Sequence, residues 1–247
     1  MSQKRILILD IETSPIIAYV WGIKDQNLGL HNIKDDWYIM AFSAKWLGDS
    51  PSKIMYFDQR NEKDPANDKR IITELWKLLD EADVVVTQNG ESFDVPRIDG
   101  RMMLYGMKPY SPIQHHDTYR QLKGKGFTSH KLEYLTAKFC VKYKKLKHKK
   151  FPGMSLWAEC LKGNKEAWTE MQKYNNYDVL STEELYLATR GWSRKNAPEM
   201  FEGDDERLCK FCGEFRLTKQ KKKLHRGVWH NQLQCQECGK WQLGGKI

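Results

Sequence analysis

The sequence predicts an α/β fold in which helices flank a mixed β-sheet and a small cysteine-rich module follows. A near-continuous apolar run of strand length, residues 5–11 (RILILDI), is typical of a central strand covered on both faces. Strand-like segments come first along the chain, and alternating strand and helix patterns follow them, as in a mixed sheet. Two Cys-x2-Cys motifs then lie beyond a polar segment rich in turn-forming residues. The predicted division is a domain at 1–190, a linker at 191–207 and a module at 208–247.

Local periodicity predicts the individual elements. Short runs rich in β-branched and aromatic residues predict strands at 16–21, 37–47, 53–57, 83–87 and 113–118. The first three are expected to be antiparallel neighbours. Helical spacing of apolar residues predicts a helix at 66–82, and further helices are predicted at 93–107, 131–139 and 165–190. Pro96 is compatible with the second helix because it falls in the first turn.

Two acidic residues continue the central strand. Asp10 and Glu12 are two apart, so their side chains share one face of the strand with Ile6 and Ile8. Open α/β sheets bind ligands at the carboxyl ends of their strands. Two carboxylates there repel each other unless a cation lies between them, and divalent cations prefer such hard oxygen ligands. Taken alone, the pair is better explained as an exposed strand end with ordinary surface acids.

A second acidic motif, NGESFDVP (89–96), follows the predicted strand 83–87. Asn89 and Gly90 predict a turn, and Asp94 opens the next helix. An aspartate in a first turn can also serve only to cap the helix or to complement its dipole. The motif therefore indicates a functional site only in combination with the other acidic motifs.

The third motif, YNNYD (174–178), lies on the long C-terminal helix. Tyr174 and Asp178 are four residues apart and share one helix face. Met171 and Leu185 continue this face, which is therefore expected to look inward toward the sheet. A carboxylate on an inward face needs a partner, and a cation would provide one. The alternative is an aspartate at the rim of an ordinary helix.

In combination, these motifs resemble the signature of the DEDD exonucleases of the DnaQ-like, ribonuclease H-fold superfamily, over about residues 1–190. DIET matches the first motif and NGESFD the second. YNNYD matches the third motif of the tyrosine subclass, DEDDy, and KLEYLTAKF (131–139) is similar to the Leu-x-x-Leu helix that precedes it. The resemblance implies a ribonuclease H-like fold and a 3′–5′ exonuclease, in a subclass that includes the proofreading domains of DNA polymerases.

Hydrolysis of a phosphodiester fits these residue types, with two Mg²⁺ or Mn²⁺ ions as cofactors. Asp10, Glu12 and Asp178 are expected to bind the ion that activates water, with Asp10 bridging to the second ion and Asp94 supporting it. Tyr174, by the resemblance, orients the attacking water, since a phenol with a pKa of about 10 is a poor general base at neutral pH. His115, His116 and Asp117 are also ligand types, but adjacent strand residues point to opposite faces and cannot all hold one ion.

Charge favours nucleic acid as the partner. The net charge is +9, and residues 207–247 carry ten Lys and Arg against two acids. A second basic run, KYKKLKHKK, covers 142–150. Such runs are often plain solvated surface, but two of them beside acidic motifs favour a phosphate-rich partner. The predicted nucleic-acid contacts are Asn89, Phe93, Lys145, Lys147, Lys149, Lys221, Lys222, Lys223 and Arg226.

The cysteine spacing predicts a zinc ribbon. Cys209 and Cys212 form one pair, Cys235 and Cys238 the other, and 22 residues separate the pairs. Four thiolates complete a closed tetrahedral structural Zn²⁺ site, without which so small a module lacks a sufficient core. Two β-strands around a basic turn are expected between the pairs. The module is expected to contact phosphates, with docking to a replication or recombination protein as the competing role.

No run of eighteen apolar residues is present, which argues against a membrane span, and Asp10 interrupts the N-terminal apolar run too early for a signal peptide. The expectation is a cytoplasmic protein, in the host cytoplasm if the source is viral. The leading interpretation is a metal-dependent exonuclease that degrades single-stranded DNA from the 3′ end. The alternatives are an RNA exonuclease, a structure-selective endonuclease on the same fold, and a non-catalytic nucleic-acid-binding adaptor.

Overall fold

The structure, a computed structural model, describes residues 4–24, 26–146, 150–193, 205 and 207–247. Its strands are β1 (Ile6–Thr13), β2 (Ile17–Ala18), β3 (Ile33–Asp35), β4 (Ile39–Trp46), β5 (Met55–Asp58), β6 (Val84–Thr87), β7 (Gln114–Asp117), β8 (Leu217–His225), β9 (Val228–Cys235) and β10 (Trp241–Lys246). Its α-helices are α1 (Lys69–Glu81), α2 (Asp94–Leu104), α3 (Thr118–Leu122), α4 (Leu132–Phe139), α5 (Ser155–Leu161) and α6 (Lys165–Thr189). None of these helices combines the length and apolarity needed to cross a membrane.

A five-stranded mixed sheet forms the centre of the protein, in the order β5-β4-β1-β6-β7. β4 is antiparallel to β1 and β5, whereas β6 runs parallel to β1 and β7 parallel to β6. The predicted mixed α/β fold is therefore confirmed. Because β1, β6 and β7 are parallel, their carboxyl ends meet at one edge of the sheet, where ligands bind in open α/β sheets.

The central strand β1 divides its side chains between two layers of helices. Leu9 and its odd-numbered neighbours pack into a core with α1 and α2. Ile8 packs on the opposite side of the sheet, in a cluster that contains residues of α6. The alternation of strand side chains thus places Asp10 and Glu12 on the α6 side, as predicted from their spacing.

The segment predicted as a strand at 16–21 departs from the expectation. Only Ile17 and Ala18 form a strand, β2, and it pairs with β3 in a separate two-stranded sheet. Tyr19 is 67% exposed and Trp21 is fully exposed. Both edges of β1 are already occupied by β4 and β6, so an apolar run that follows β1 finds no free edge beside it in the central sheet.

The C-terminal residues form a three-stranded antiparallel sheet in the order β10-β9-β8. Two strands around a turn were expected, and β10 is an additional strand. The side chain of Lys240 donates a hydrogen bond to the carbonyl oxygen of Ser193 at 2.7 Å, which joins this sheet to the segment just beyond α6. The predicted linker lies largely in 194–204 and 206, outside the described residues, so the predicted domain boundaries stay a prediction.

Candidate active site

Three carboxylates from distant parts of the chain meet beside the carboxyl end of β1. Asp10 and Glu12 extend from β1, and Asp178 lies on α6, which packs across this side of the sheet. One oxygen atom of each side chain lies within 4.8 Å of those of the other two. Glu12 and Asp178 are buried, and Asp10 is partly buried. The structure therefore brings together three of the four acids that the motifs single out.

Asp94, the fourth acid, lies beside this cluster rather than within it. It is the first residue of α2 and is buried. Its Oδ1 atom accepts a hydrogen bond from the backbone N–H of Ile11 at 3.0 Å. Because Ile11 lies between Asp10 and Glu12, this bond fixes the start of α2 against the part of β1 that carries both acids.

Burial and mutual repulsion raise the pKa values of these acids. Burial is the main cause at Asp10, where the charges of Asp178 and Asp94 add to it and the pKa lies well above its usual range. The pKa of Glu12 rises to about 8, again mainly through burial and then through Asp178. Burial raises the pKa of Asp94 to about 7 against the opposing hydrogen bond from Ile11. Buried oxygen ligands that repel one another fit a hard divalent cation, which would neutralise their charge.

Lys145 reaches into the same cluster. Its Nζ atom lies 2.6 Å from Asp178 Oδ2 and 4.6 Å from the centre of the Tyr174 ring. Burial lowers the pKa of this ammonium group, but the negative charge of Asp178 outweighs burial and raises it overall. Burial, followed by the charge of Asp178, also raises the pKa of Tyr174. At neutral pH the lysine is therefore charged and the phenol is protonated. The sequence predicted Lys145 as a nucleic-acid contact within a basic run but gave no sign of its ion pair with Asp178.

Two neutral donors that the sequence did not single out hold the acids in place. The side-chain amide of Asn175 donates to Asp10 Oδ2 at 2.6 Å and to the Asp10 carbonyl oxygen at 3.3 Å. The indole N–H of Trp157 donates to Glu12 Oε2 at 3.2 Å. Asn175 lies inside the YNNYD motif, one residue after Tyr174, so the motif itself contained the signal. Trp157 lies on α5, a helix that periodicity did not predict.

The loop that carries the second motif is fixed by Asp117. This buried side chain accepts hydrogen bonds from the backbone N–H groups of Asn89, at 2.9 Å, and Glu91, at 3.1 Å. Asn89 adopts a positive φ of 68°. His116 is buried against Tyr186. His116 and Asp117 thus make structural contacts within the fold.

A cleft of about 400 Å³ adjoins the cluster. Its lining includes Asn89, Tyr119, Lys131 and Lys145.

Those of the other predicted nucleic-acid contacts that the structure describes lie elsewhere. The centre of the Phe93 ring lies 3.8 Å from the guanidinium carbon of Arg97. Lys147 and Lys149 lie outside the described residues. Among the other predicted contacts, the lysines of β8 and the turn arginine are exposed: Lys221, Lys222, Lys223 and Arg226.

The four predicted cysteines form a second cluster. The Sγ atoms of Cys209 and Cys238 lie 3.7 Å apart, those of Cys212 and Cys235 lie 3.6 Å apart, and all four fall within 4.8 Å of one another. A tetrahedral site with Zn–S bonds of about 2.3 Å requires S–S separations of roughly 3.8 Å. Gly239 follows the last cysteine with a φ of 73°, a conformation that favours glycine. The cluster therefore has the composition and spacing of a closed structural metal site.

The protein is thus an α/β protein with a mixed sheet, and the carboxylates at the carboxyl end of β1 form a candidate metal-binding site. The chain belongs to the RNase_H superfamily, whose family model matches residues 28–189. This range includes Asp94, Tyr174 and Asp178, whereas Asp10 and Glu12 precede it. Membership of the superfamily supports a nuclease of this fold.

One solved structure with a similar chain trace is that of the family B DNA polymerase from the hyperthermophilic archaeon Pyrobaculum calidifontis, with a TM-score of 0.47 and 12% sequence identity. The similarity covers 77% of this chain and 26% of the polymerase chain. No curated protein sequence matches the chain significantly.

Proposed function

We propose that the protein is a metal-dependent 3′–5′ exonuclease that hydrolyses phosphodiester bonds, with single-stranded DNA as its favoured substrate. The observation that carries the proposal is the convergence of Asp10, Glu12 and Asp178, with Tyr174 one helical turn before Asp178. The superfamily match supports a nuclease. The tyrosine-subclass motif supports cleavage from the 3′ end, and the basic C-terminal module supports a nucleic-acid substrate.

The carboxylates of Asp10, Glu12 and Asp178 would hold the catalytic ions, with Asp94 supporting them from the start of α2. Two Mg²⁺ or Mn²⁺ ions, when bound there, supply an activated water and neutralise charge at the scissile phosphate and the leaving oxygen. The buried acids fit such ions because they repel one another and the nearby positive charge does not offset this repulsion.

Tyr174 and Lys145 would act directly on the substrate. Because the Tyr174 phenol is protonated at neutral pH, it can donate a hydrogen bond that orients the attacking water or a phosphate oxygen. The Lys145 ammonium stays charged and can contact a phosphate of the bound strand. The cleft lined by Asn89 and Lys131 offers room beside these groups for a neighbouring nucleotide.

The experiment that tests the proposal uses 5′-labelled single-stranded and duplex DNA and RNA, incubated with the purified protein and Mg²⁺, Mn²⁺ or EDTA. The expected result is a metal-dependent ladder that shortens from the 3′ end of single-stranded DNA. Asp10→Ala should abolish the ladder. Glu166→Ala, which removes an exposed acid from the same helix as Asp178, should leave it unchanged.

A ladder on RNA alone would change the assigned substrate, and internal cuts would change the assignment to an endonuclease. An Asp10→Ala variant with full metal-dependent activity would rule out the proposed site.

A further inference from the structure

The hairpin formed by β8 and β9 extends into solvent from the cysteine cluster. Two residues, Arg226 and Gly227, connect the strands, and both have positive φ angles, 50° and 77°. Such a two-residue type I′ turn matches the natural twist of a narrow hairpin. β8 is an edge strand of its sheet, and every residue from Thr218 to His225 is exposed.

A shift in register distributes the lysines of β8 over both faces of this hairpin. Lys219 is paired with Leu233 and Lys221 with Gln232, so one extra residue lies between the two lysines. Without the shift, the side chains of Lys219, Lys221 and Lys223 would all lie on one face. With it, Lys219 and Lys222 lie on one face, and Lys221 and Lys223 lie on the other.

The hairpin itself carries no acidic residue. The sequence contains none between Glu214 and Glu237. Both flanking acids lie at the base of the hairpin, and Glu237 is paired there with Arg216. Positive charge thus covers both faces and, through Arg226, the tip.

The two-sided charge distinguishes between classes of nucleic acid. A single strand bound on a platform presents its phosphates to one surface. The major groove of B-form DNA, about 12 Å wide, admits a two-stranded β-ribbon and places phosphates on both sides of it. The major groove of A-form RNA is too narrow for this. A hairpin that is basic on both faces therefore fits the B-form groove better than either alternative.

We infer that the hairpin inserts β8 into the major groove of duplex DNA next to the 3′ end that the acidic site processes. The inference rests on the proposed nuclease function and extends it by naming the substrate class: a 3′-terminal single strand attached to a DNA duplex. In this arrangement the hairpin anchors the duplex while the single-stranded end enters the cleft beside Lys145.

The test measures binding by full-length Asp10→Ala protein, which separates binding from cleavage. The probes are a DNA hairpin with a 3′ single-stranded tail, the tail alone, and the corresponding tailed RNA hairpin. The tailed DNA hairpin should bind at least about tenfold more tightly than either other probe. The double variants Lys219→Ala/Lys222→Ala and Lys221→Ala/Lys223→Ala should each remove most of this gain.

Each double variant should also reduce the slope of log affinity against log salt on the tailed DNA hairpin by about two. The matched control, Lys63→Ala/Lys69→Ala, removes two exposed lysines from the part of the chain around β5 and α1 and should preserve the tenfold preference. Protein binding should protect guanine N7, a major-groove atom, from methylation in the duplex part of the probe.

The inference would be overturned if the tail alone bound as tightly as the tailed DNA hairpin, or if only one of the two double variants weakened binding. Full reactivity of guanine N7 in the bound duplex would also overturn it. If the wild-type protein still cleaved single strands in those cases, the proposed nuclease function would remain supported. Duplex binding without cleavage by the wild-type protein would instead remove the proposed function.

Discussion

At the scale of single residues, the acidic cluster depends on neutral hydrogen-bond donors. Asn175 and Trp157 each bind one oxygen of a carboxylate, Asp10 and Glu12 respectively. A carboxylate that is held at one oxygen keeps its other oxygen in a defined direction, and such supporting bonds commonly tune metal sites. The donors are uncharged, so they orient the acids without supplying the charge that a cation would provide.

Replacing Asn175 with alanine should therefore weaken metal binding. We expect the Asn175→Ala variant to bind Mn²⁺ about 10–100-fold more weakly by calorimetry and to require correspondingly more Mg²⁺ for cleavage. Asn176→Ala is the matched control, because this neighbour accepts a hydrogen bond from Ser43 rather than contacting the acids. Unchanged Mn²⁺ affinity in Asn175→Ala would show that Asp10 does not need this donor.

The raised pKa of Glu12 predicts how stability depends on pH in the absence of metal. The folded pKa of about 8 exceeds the ordinary value of 4.5, so the folded state favours the protonated acid. The stability of the folded state that depends on a protonated Glu12 is fully present below pH 4.5 and is lost as the pH rises through about 8. In EDTA, Glu12→Gln should raise Tm at pH 8 by at least about 2 °C, equivalent to roughly 1 kcal/mol, and have little effect at pH 4.5.

The control for this measurement is Glu166→Gln, which alters an exposed acid. It should give the same small change in Tm at both pH values. A Glu12→Gln variant whose gain in Tm over the wild type is no larger at pH 8 than at pH 4.5 would contradict the expected effect of ionising this buried acid.

At the scale of elements, the sequence was most informative where the pattern was long or chemically distinctive. β1 and α6 were predicted because a near-continuous apolar run and a 25-residue helix are long enough to stand out in the sequence. α3 and α5 have five and seven residues, too few for a helical period to emerge. Trp157 was missed for this reason: its role depends on a short helix whose position only the packing against α6 defines. Lys145 was predicted to contact nucleic acid, but its pairing with Asp178 was missed because its basic run gives no sign that one member turns inward.

The cysteine cluster allows a test at the same scale. Cys212→Ser should lower bound zinc from about one ion per chain to near zero, measured by elemental analysis, because thiolates provide a closed tetrahedral site. Loss of the ion should also make residues 207–247 sensitive to protease. Cys160→Ala removes a buried cysteine outside the cluster and should retain the ion. Full zinc content in Cys212→Ser would exclude a four-cysteine site.

At the scale of the whole molecule, the cysteine module packs against the end of α6. Gly191, just beyond α6, lies so close to the second cysteine pair that an added Cβ atom would be 1.7 Å from the carbonyl oxygen of Cys238. The Lys240–Ser193 hydrogen bond lies near the same contact. A glycine is thus required there for close approach of two backbones, not for an unusual φ angle.

Gly191→Val should separate the two parts without unfolding either. We expect a larger radius of gyration in X-ray scattering, with zinc content and single-strand cleavage retained. Gly100→Ala is the control, since a Cβ atom there meets no other atom within 4 Å. An unchanged scattering profile for Gly191→Val would mean that the module shifts to accommodate the side chain without detaching.

The bond between Asn175 and Asp10 joins residues 165 positions apart. During synthesis, the ribosome releases β1 long before it releases α6, by roughly 10–30 seconds at typical elongation rates of about 5–20 residues per second. Throughout this interval the nascent chain carries Asp10 and Glu12 without the helix that completes the cluster. The acidic cluster is therefore complete only after most of the chain has been translated.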